Sequence, residues 1–297
     1  MRRIRILCIL LFLITGAAFG HMKFKQYLSE DSRAPQITMD KTRIEVPCSA
    51  DNAALLAGIT AMDSKDGDVT ANLVLESMSH FIKKGKRTMT VAAFDSDGNV
   101  SKAKRDVVYT DYQSPVFSLD SPLVFPINSS KIDIPMKASD MIDGDITGKI
   151  KMGSSQSIRT YIAGSYDMTF TVANSAGDVA TLPVTLEIYD PEEKEGCPVL
   201  TLNQYLIYVK KKETIDPYKY LESLIAQGVK YKKTEDGSVL REALLPNTEK
   251  EAQEISIDRI IVDGKLNYKK AGVHELVYSY KDSHERKGTA RLIVVVR

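Results

Sequence analysis

Ala61-Met-Asp-Ser-Lys-Asp-Gly-Asp-Val-Thr70 decides the fold, because Ala138-Ser-Asp-Met-Ile-Asp-Gly-Asp-Ile-Thr147 repeats it further along the chain. A second pair follows in the same order, Phe94-Asp-Ser-Asp-Gly-Asn-Val100 and Ala173-Asn-Ser-Ala-Gly-Asp-Val179. Repetition at about 80 residues predicts whole small domains in a row, since solenoid repeats run only about 20–50 residues. A string of copied domains favours binding or spacing over catalysis.

Three units open in the same way, with Ala34-Pro35, Ser114-Pro115 and Cys197-Pro198 each followed by an alternating stretch. Apolar residues at period two predict strands with one buried face. Short strands of this kind, separated by Gly and Asp turns, predict an all-β chain of three tandem antiparallel β-sandwiches. The expected domains are 34–112, 113–190 and 191–297, after a polar linker at 23–33.

The N-terminus combines a basic leader, Met1-Arg-Arg-Ile-Arg5, with an apolar run over 6–20. This order is the layout of a secretory signal, and Ala18 and Gly20 suit cleavage after Gly20. The alternative is an uncleaved signal anchor, for which about 17–25 apolar residues are needed. Under both alternatives residues 1–22 direct export, so the product is expected at the cell surface or secreted.

The third unit departs from the repeat. Residues 213–228 predict a short helix, since Asp216 can cap it, Pro217 suits its first position and Gly228 can end it. A polar insertion at about 229–254 follows and is expected to form a surface loop or hairpin. Tyrosines concentrate in this unit; most are expected in the core or at its rim, and an exposed set around the insertion would form a contact patch.

Charge and cysteine usage narrow the class of protein. Forty basic residues balance 39 acidic ones, whereas a nucleic-acid binder shows a basic surplus, so no nucleic-acid partner is expected. A membrane is expected to be contacted only through the N-terminal segment. Cys8 lies in the signal run, which leaves Cys48 and Cys197 either as thiols or as one bridge between domains. Each domain is therefore expected to be held by its own apolar core.

The order of these motifs resembles a known family. This order runs from Pro-x-Ile/Leu to Asp-Gly-Asp-Ile-Thr, then to an alternating strand with an Asp/Asn-x-x-Gly turn, and ends on a valine-rich last strand. It is similar to that of bacterial immunoglobulin-like domains. The resemblance is to the branch found in Gram-positive surface proteins and in a pesticidal crystal protein, and more distantly to the hyalin repeat. It implies immunoglobulin-like sandwiches used at the cell surface in adhesion, carbohydrate contact or spacing.

The acidic turns are the candidate site. Calcium takes about 6–8 oxygen ligands, and carboxylates two or three residues apart around a glycine can supply several of them. The alternative is structural, because Asp-Gly turns are also favoured when Asp bonds its own backbone and Gly adopts a positive φ. The candidate calcium ligands are Asp63, Asp66, Asp68, Asp140, Asp143 and Asp145.

No catalytic residue and no cofactor other than calcium is predicted. The four histidines show no zinc spacing, and the chain has no Gly-x-Ser-x-Gly elbow. The sequence therefore predicts a non-catalytic protein that binds an extracellular protein or carbohydrate. Two alternatives stay open, an enzyme or enzyme accessory module acting on cell-wall or other glycans, and a pure spacer.

Overall fold

The computed structural model describes residues 2–29, 32–129, 134–154, 158–244 and 251–297. It contains two compact units, Met1–Tyr112 and Gln113–Arg297. An N-terminal helix, α1 (Arg2–Ser29), begins the first unit, so the first residues of the expected linker are helical. The apolar window Cys8–Lys25 of α1 has a mean hydropathy of 1.3, which suffices in length and composition to cross a membrane. A signal sequence has the same properties.

The first domain pairs two sheets. The smaller has the order β1-β3-β4 and the larger the order β2-β7-β6-β5. The elements are β1 (Gln36–Met39), β2 (Arg43–Val46), α2 (Asn52–Leu56), β3 (Ile59–Asp63), β4 (Gly67–Asp68), β5 (Val74–Met78), β6 (Lys86–Phe94) and β7 (Val100–Tyr109). A 3₁₀ turn at Thr70–Asn72 links β4 to β5. Alternate residues of β6 and β7 are buried between the sheets, as period two predicts.

The second domain repeats this plan, with sheets in the orders β11-β10-β8 and β12-β13-β14-β9. Its strands are β8 (Val116–Leu119), β9 (Val124–Pro126), β10 (Met136–Asp140), β11 (Gly144–Asp145), β12 (Lys151–Ser154), β13 (Gly164–Ala173) and β14 (Val179–Tyr189). A 3₁₀ turn at Thr147–Lys149 again precedes the larger sheet's edge strand. In each larger sheet one short strand pairs in parallel with the last long strand, so the sandwiches are mostly antiparallel.

The third domain keeps the larger sheet, in the order β16-β23-β22-β21, and widens the smaller one to β15-β17-β18-β19-β20. Its strands are β15 (Val199–Leu202), β16 (Leu206–Val209), β17 (Leu221–Ala226), β18 (Val229–Lys233), β19 (Val239–Glu242), β20 (Glu254–Ser256), β21 (Ile261–Asp263), β22 (Gly272–Lys281) and β23 (Lys287–Val296). Three tandem β-sandwiches are thus confirmed. The insertion forms strands of the sheet, and its residues 245–250 lie outside the described part of the chain.

The helix expected at 213–228 is wrong beyond its first turn. Asp216 does cap, accepting the backbone N–H of Tyr218, but only a 3₁₀ turn forms, at Pro217–Tyr220, before β17 begins. A bulge in the pairing of β15 with β17 skips one residue, so the buried Leu221 and Leu224 stand three apart, as on a helix. Gly228, expected as a helix end, instead lies in the turn from β17 to β18.

The second and third domains share one continuous apolar core. The backbone N–H of Phe117 donates to the hydroxyl of Tyr208 at 2.7 Å, and that of Thr185 donates to Glu275 at 3.2 Å. Arg291 of the third domain pairs with Glu187 of the second at 3.9 Å. These contacts fasten the third domain to the second within one unit.

Candidate functional site

The acidic turn of the first domain is built on side chain-to-backbone hydrogen bonds. Asp63 ends β3, and its Oδ1 accepts the N–H groups of Lys65 at 2.8 Å and Asp66 at 2.9 Å. Oδ1 of Asp68 accepts the N–H of Thr70 at 2.9 Å. Hydrogen bonds from the side chain and backbone of Thr70 lower the pKa of Asp68. Asp63 and Asp68 therefore each shape the backbone that follows them.

Asp66 has a different role, since it reaches the hairpin that joins β6 to β7 in the other sheet. Its two carboxylate oxygens accept the N–H of Ser96 at 2.7 Å and the hydroxyl of Ser96 at 2.9 Å. This Asp–Ser clamp connects the two sheets at one end of the sandwich. The acidic motif at 61–70 and the hairpin motif at 94–100 thus each supply one residue of the Asp–Ser clamp.

The second domain builds the same turn. Oδ1 of Asp140 accepts the N–H groups of Ile142 at 2.8 Å and Asp143 at 3.1 Å. Oδ1 of Asp145 accepts the N–H of Thr147 at 2.8 Å, and hydrogen bonds from Thr147 lower the pKa of Asp145. The structure therefore brings the six predicted aspartates together as two groups of three, one in each domain.

Asp143 forms the second Asp–Ser clamp, accepting the N–H of Ser175 at 2.7 Å and also its hydroxyl. Lys149 donates to the same carboxylate at 2.7 Å. Burial by itself would raise the pKa of Asp143, but the hydrogen bonds from Lys149 and Ser175 outweigh it, and the pKa lies below its usual range. The clamp is therefore ionised at neutral pH.

The two acidic turns differ in the partner of their first aspartate. Oδ2 of Asp140 accepts the side-chain N–H of Asn174 at 3.0 Å. In the first domain Asp95 stands where Asn174 stands in the second, and a carboxylate has no N–H to give. Oδ2 of Asp63 is buried without a hydrogen-bond partner in the described part of the chain.

The third domain connects its two sheets at the same end of the sandwich, but without the acidic turn. Ser283 takes the place of Ser96 and Ser175 in the hairpin, and the side-chain amide of Gln227 donates to its hydroxyl. Asp282 keeps the hairpin closed by accepting the N–H groups of His284 at 2.8 Å and Arg286 at 3.0 Å. A neutral Gln–Ser contact thus replaces the Asp–Ser clamp.

The geometry gives the aspartates a structural role. Most of their oxygens already accept N–H or O–H groups, which compete with a cation for the same lone pairs. Among the described residues no group of three or more His, Cys, Asp or Glu side chains is arranged to hold a metal ion. Calcium binding therefore stays a prediction.

The inserted strands present two different faces. Tyr231, Leu240 and Ile255 point inward and are buried. Tyr231 lies within the insertion, but its ring packs in the core rather than in an exposed contact patch, and its hydroxyl donates to Gln253 at 3.1 Å. The opposite face carries exposed charged residues, Lys230, Lys232, Arg241 and Glu254. The surface that the insertion adds is therefore charged rather than aromatic.

Sequence reasoning missed Arg105, which is 1% exposed at a core position of β7. Its guanidinium donates to the backbone oxygens of Lys41 at 2.9 Å, Leu55 at 3.1 Å and Ala57 at 2.7 Å, and pairs with Asp40 at 3.0 Å. The strand alternation marked the position as inward, but only the fold reveals the carbonyl groups that surround it. Arg105 holds loops of the first domain together.

No family model matches the chain. Over 111 residues it is 30% identical to an uncharacterized 81.3 kDa protein of Acholeplasma phage L2. That match covers 36% of this chain and spans 15% of the length of the phage protein.

Similar solved structures include a lipoprotein from Bacteroides thetaiotaomicron, with 13% identity over 60% of this chain and 98% of that one, at a TM-score of 0.24. Mouse cadherin-23 EC22–24 is 12% identical over 90% of this chain and 99% of that one, at 0.21. The M60 catalytic domain with two CBM51 domains of Clostridium perfringens ZmpB is 11% identical over 90% of this chain and 31% of that one, at 0.22. TM-scores this low carry no argument about function.

Proposed function

We propose that this chain is an exported, non-catalytic protein whose tandem sandwiches hold out a binding surface on the third domain. The observation that carries the proposal is the pair of inserted strands, β18 and β19. They widen a sheet that has three strands in the first two domains to five strands in the third. Loops and extensions on a rigid scaffold commonly carry binding.

The support beneath this surface is firm. The third domain shares its apolar core with the second, and a Thr185–Glu275 hydrogen bond and an Arg291–Glu187 ion pair join the two. A site built on packed strands keeps its geometry better than one on free loops. The buried Tyr231 and Leu240 fix the inserted strands to the same core.

Export is supported by α1, whose apolar window Cys8–Lys25 follows a basic leader. Non-catalytic use is supported by the acidic turns, since Asp66 and Asp143 are engaged in the Asp–Ser clamps. The expected partner is an extracellular protein or carbohydrate, as in the sequence-based prediction.

The test presents the purified full chain, in detergent, to peptidoglycan, neutral glycans and anionic envelope polymers. We expect saturable binding without product release. Product release from any of these substrates would instead establish the enzyme alternative, and no binding at all would favour a spacer.

The location of the surface is tested by acetylating lysines with and without the polymer that binds. We expect the bound polymer to protect Lys230 and Lys232 and to leave Lys83 and Lys84 of the first domain reactive. Equal reactivity of all four would contradict the placement. Deleting the insertion is a poor test, because it would remove the buried Tyr231 and Leu240 from the core.

A further inference from the structure

The outer face of the inserted strands is a ladder of positive charge. Lys230 and Lys232 flank the inward-pointing Tyr231, so both lie on the outer face of β18. Arg241 of β19 is directly opposite Lys232 in the strand pairing. Alternate residues of a strand are about 6.7 Å apart, and opposed residues about 5 Å apart. Three cations therefore share a small area of the sheet's outer face.

This arrangement costs stability, because like charges directly opposite each other destabilise an antiparallel pair. Glu254 of β20 compensates only Arg241, to which it is bonded at 2.6 and 2.7 Å. For the described residues, no ion pair forms at Lys230 or Lys232. Within the described part of the chain, the two lysines thus carry positive charge that no carboxylate pairs.

The face also restricts which anion it can bind. Its strands are interior to the sheet, with β17 and β19 on either side of β18, so their backbone groups are already paired. An acidic peptide that adds as a strand needs an open edge, and here only side chains can reach the ligand. The outward positions of β17, β18 and β19 in the described chain hold no aromatic ring on which bases would stack.

A ligand that carries its charge along its own backbone fits these restrictions. We propose that the outer face formed by Ile225, Lys230, Lys232 and Arg241 binds a linear polyol-phosphate polymer through its phosphodiester groups. The proposal rests on the proposed function and specifies its ligand class. Each lysine ammonium has three rotatable donors and tolerates variable phosphate spacing. The exposed Ile225 lies beside Lys230 in the strand pairing and gives the polyol segments an apolar contact.

The experiment measures binding of the full chain to an immobilised glycerol-phosphate polymer over a series of salt concentrations. We expect affinity to fall as salt rises, since phosphate contacts release counterions. The double variant Lys230→Gln/Lys232→Gln should lose about tenfold in affinity at low salt, and its salt dependence should be shallower. The matched control Lys83→Gln/Lys84→Gln removes the same charge from the first domain and should lose less than about twofold.

The outcomes separate the ligand class from the proposed function. Equal losses in both double variants would mean non-specific attraction and overturn the proposal. Tighter binding to poly-L-glutamate than to the glycerol-phosphate polymer would overturn the ligand class. If a neutral glycan binds instead and protects Lys230 and Lys232 from acetylation, the polyol-phosphate ligand is wrong and the proposed function stands. Unchanged melting of the variants excludes loss of folding as the cause.

Discussion

The first and second domains share the same acidic sequence motif, but the first aspartate of that motif is hydrogen-bonded differently in the two domains. The second carboxylate oxygen of Asp140 accepts a hydrogen bond from the amide of Asn174, whereas the same oxygen of Asp63 is buried and has no partner among the described residues. The cause lies outside the acidic turn, in the hairpin of the other sheet, where Asp95 replaces Asn174. A repeated motif therefore fixes the turn, and a residue from the opposite sheet decides how well the turn is stabilised.

The cores of the two domains differ in the same way. Arg105 of β7 is opposite Met89, and the residue at the same step in the second domain is Val184, opposite Met168. An arginine in a core is tolerated because its guanidinium reaches the backbone oxygens of Lys41, Leu55 and Ala57. At this position the first domain thus uses buried polar contacts where the second uses apolar packing.

The largest effect is expected from Arg105→Leu, which makes the first core resemble the second. Three backbone carbonyls and Asp40 lose their donor, so the free energy of unfolding of the first unit should fall by about 3 kcal/mol. Scanning calorimetry of the full chain measures the change. The control is Arg43→Leu, which removes an exposed ion pair with Glu45 and should have little effect. Equal stability of Arg105→Leu and the wild type would contradict the comparison.

A second pair of variants should have effects of opposite sign. Asp140→Asn faces its new amide toward the amide of Asn174, whose oxygen already accepts the N–H of Asp178, and should cost about 1–2 kcal/mol. Asp63→Asn supplies an N–H where the oxygen is unpartnered, and should leave the first unit equally or more stable. Amide hydrogen exchange in the two turns measures both effects. If both variants destabilise their domains, the assigned difference in hydrogen bonding between Asp63 and Asp140 is wrong.

The Asp–Ser clamp of the second domain should weaken in acid. The folded-state pKa of Asp143 is lowered, because hydrogen bonds from Lys149 and Ser175 outweigh burial. Its stabilisation is therefore present above the unfolded pKa of about 3.9 and lost as pH falls through the lower folded value. Urea unfolding at several pH values should show a smaller acid loss for Asp143→Asn than for the wild type. If the wild type and Asp143→Asn lose stability equally as the pH falls, the clamp does not contribute to the acid sensitivity of the second domain.

The smallest effect on stability is expected from the addition or removal of calcium. Because most oxygens of the acidic turns accept N–H or O–H groups, melting curves of the full chain in millimolar calcium and in chelator should coincide. A calcium-dependent rise confined to the first unit, and abolished by Asp63→Asn, would instead establish a cation site at the unpartnered oxygen of Asp63. That outcome would sharpen the contrast with Asp140.

Much of the architecture could be predicted because strand alternation is a local signal. The long strands β13 and β22 bury alternate residues, as their period of two predicts. The prediction was wrong at β17, where a bulge at Glu222 interrupts the alternation. Ser96 and Ser175 belong to motifs that the sequence singled out, but nothing local indicates that they meet Asp66 and Asp143.

The sequence by itself determined the three tandem sandwiches, the apolar N-terminal segment and the position of the insertion, because each depends on the order and period of neighbouring residues. Only the tertiary structure decided that the acidic turns clamp opposite sheets, that Arg105 is satisfied inside a core, and that Lys230, Lys232 and Arg241 share one face. Those outcomes depend on contacts between strands far apart in the chain. Their partners are set by strand pairing, which the spacing of residues within any single strand does not encode.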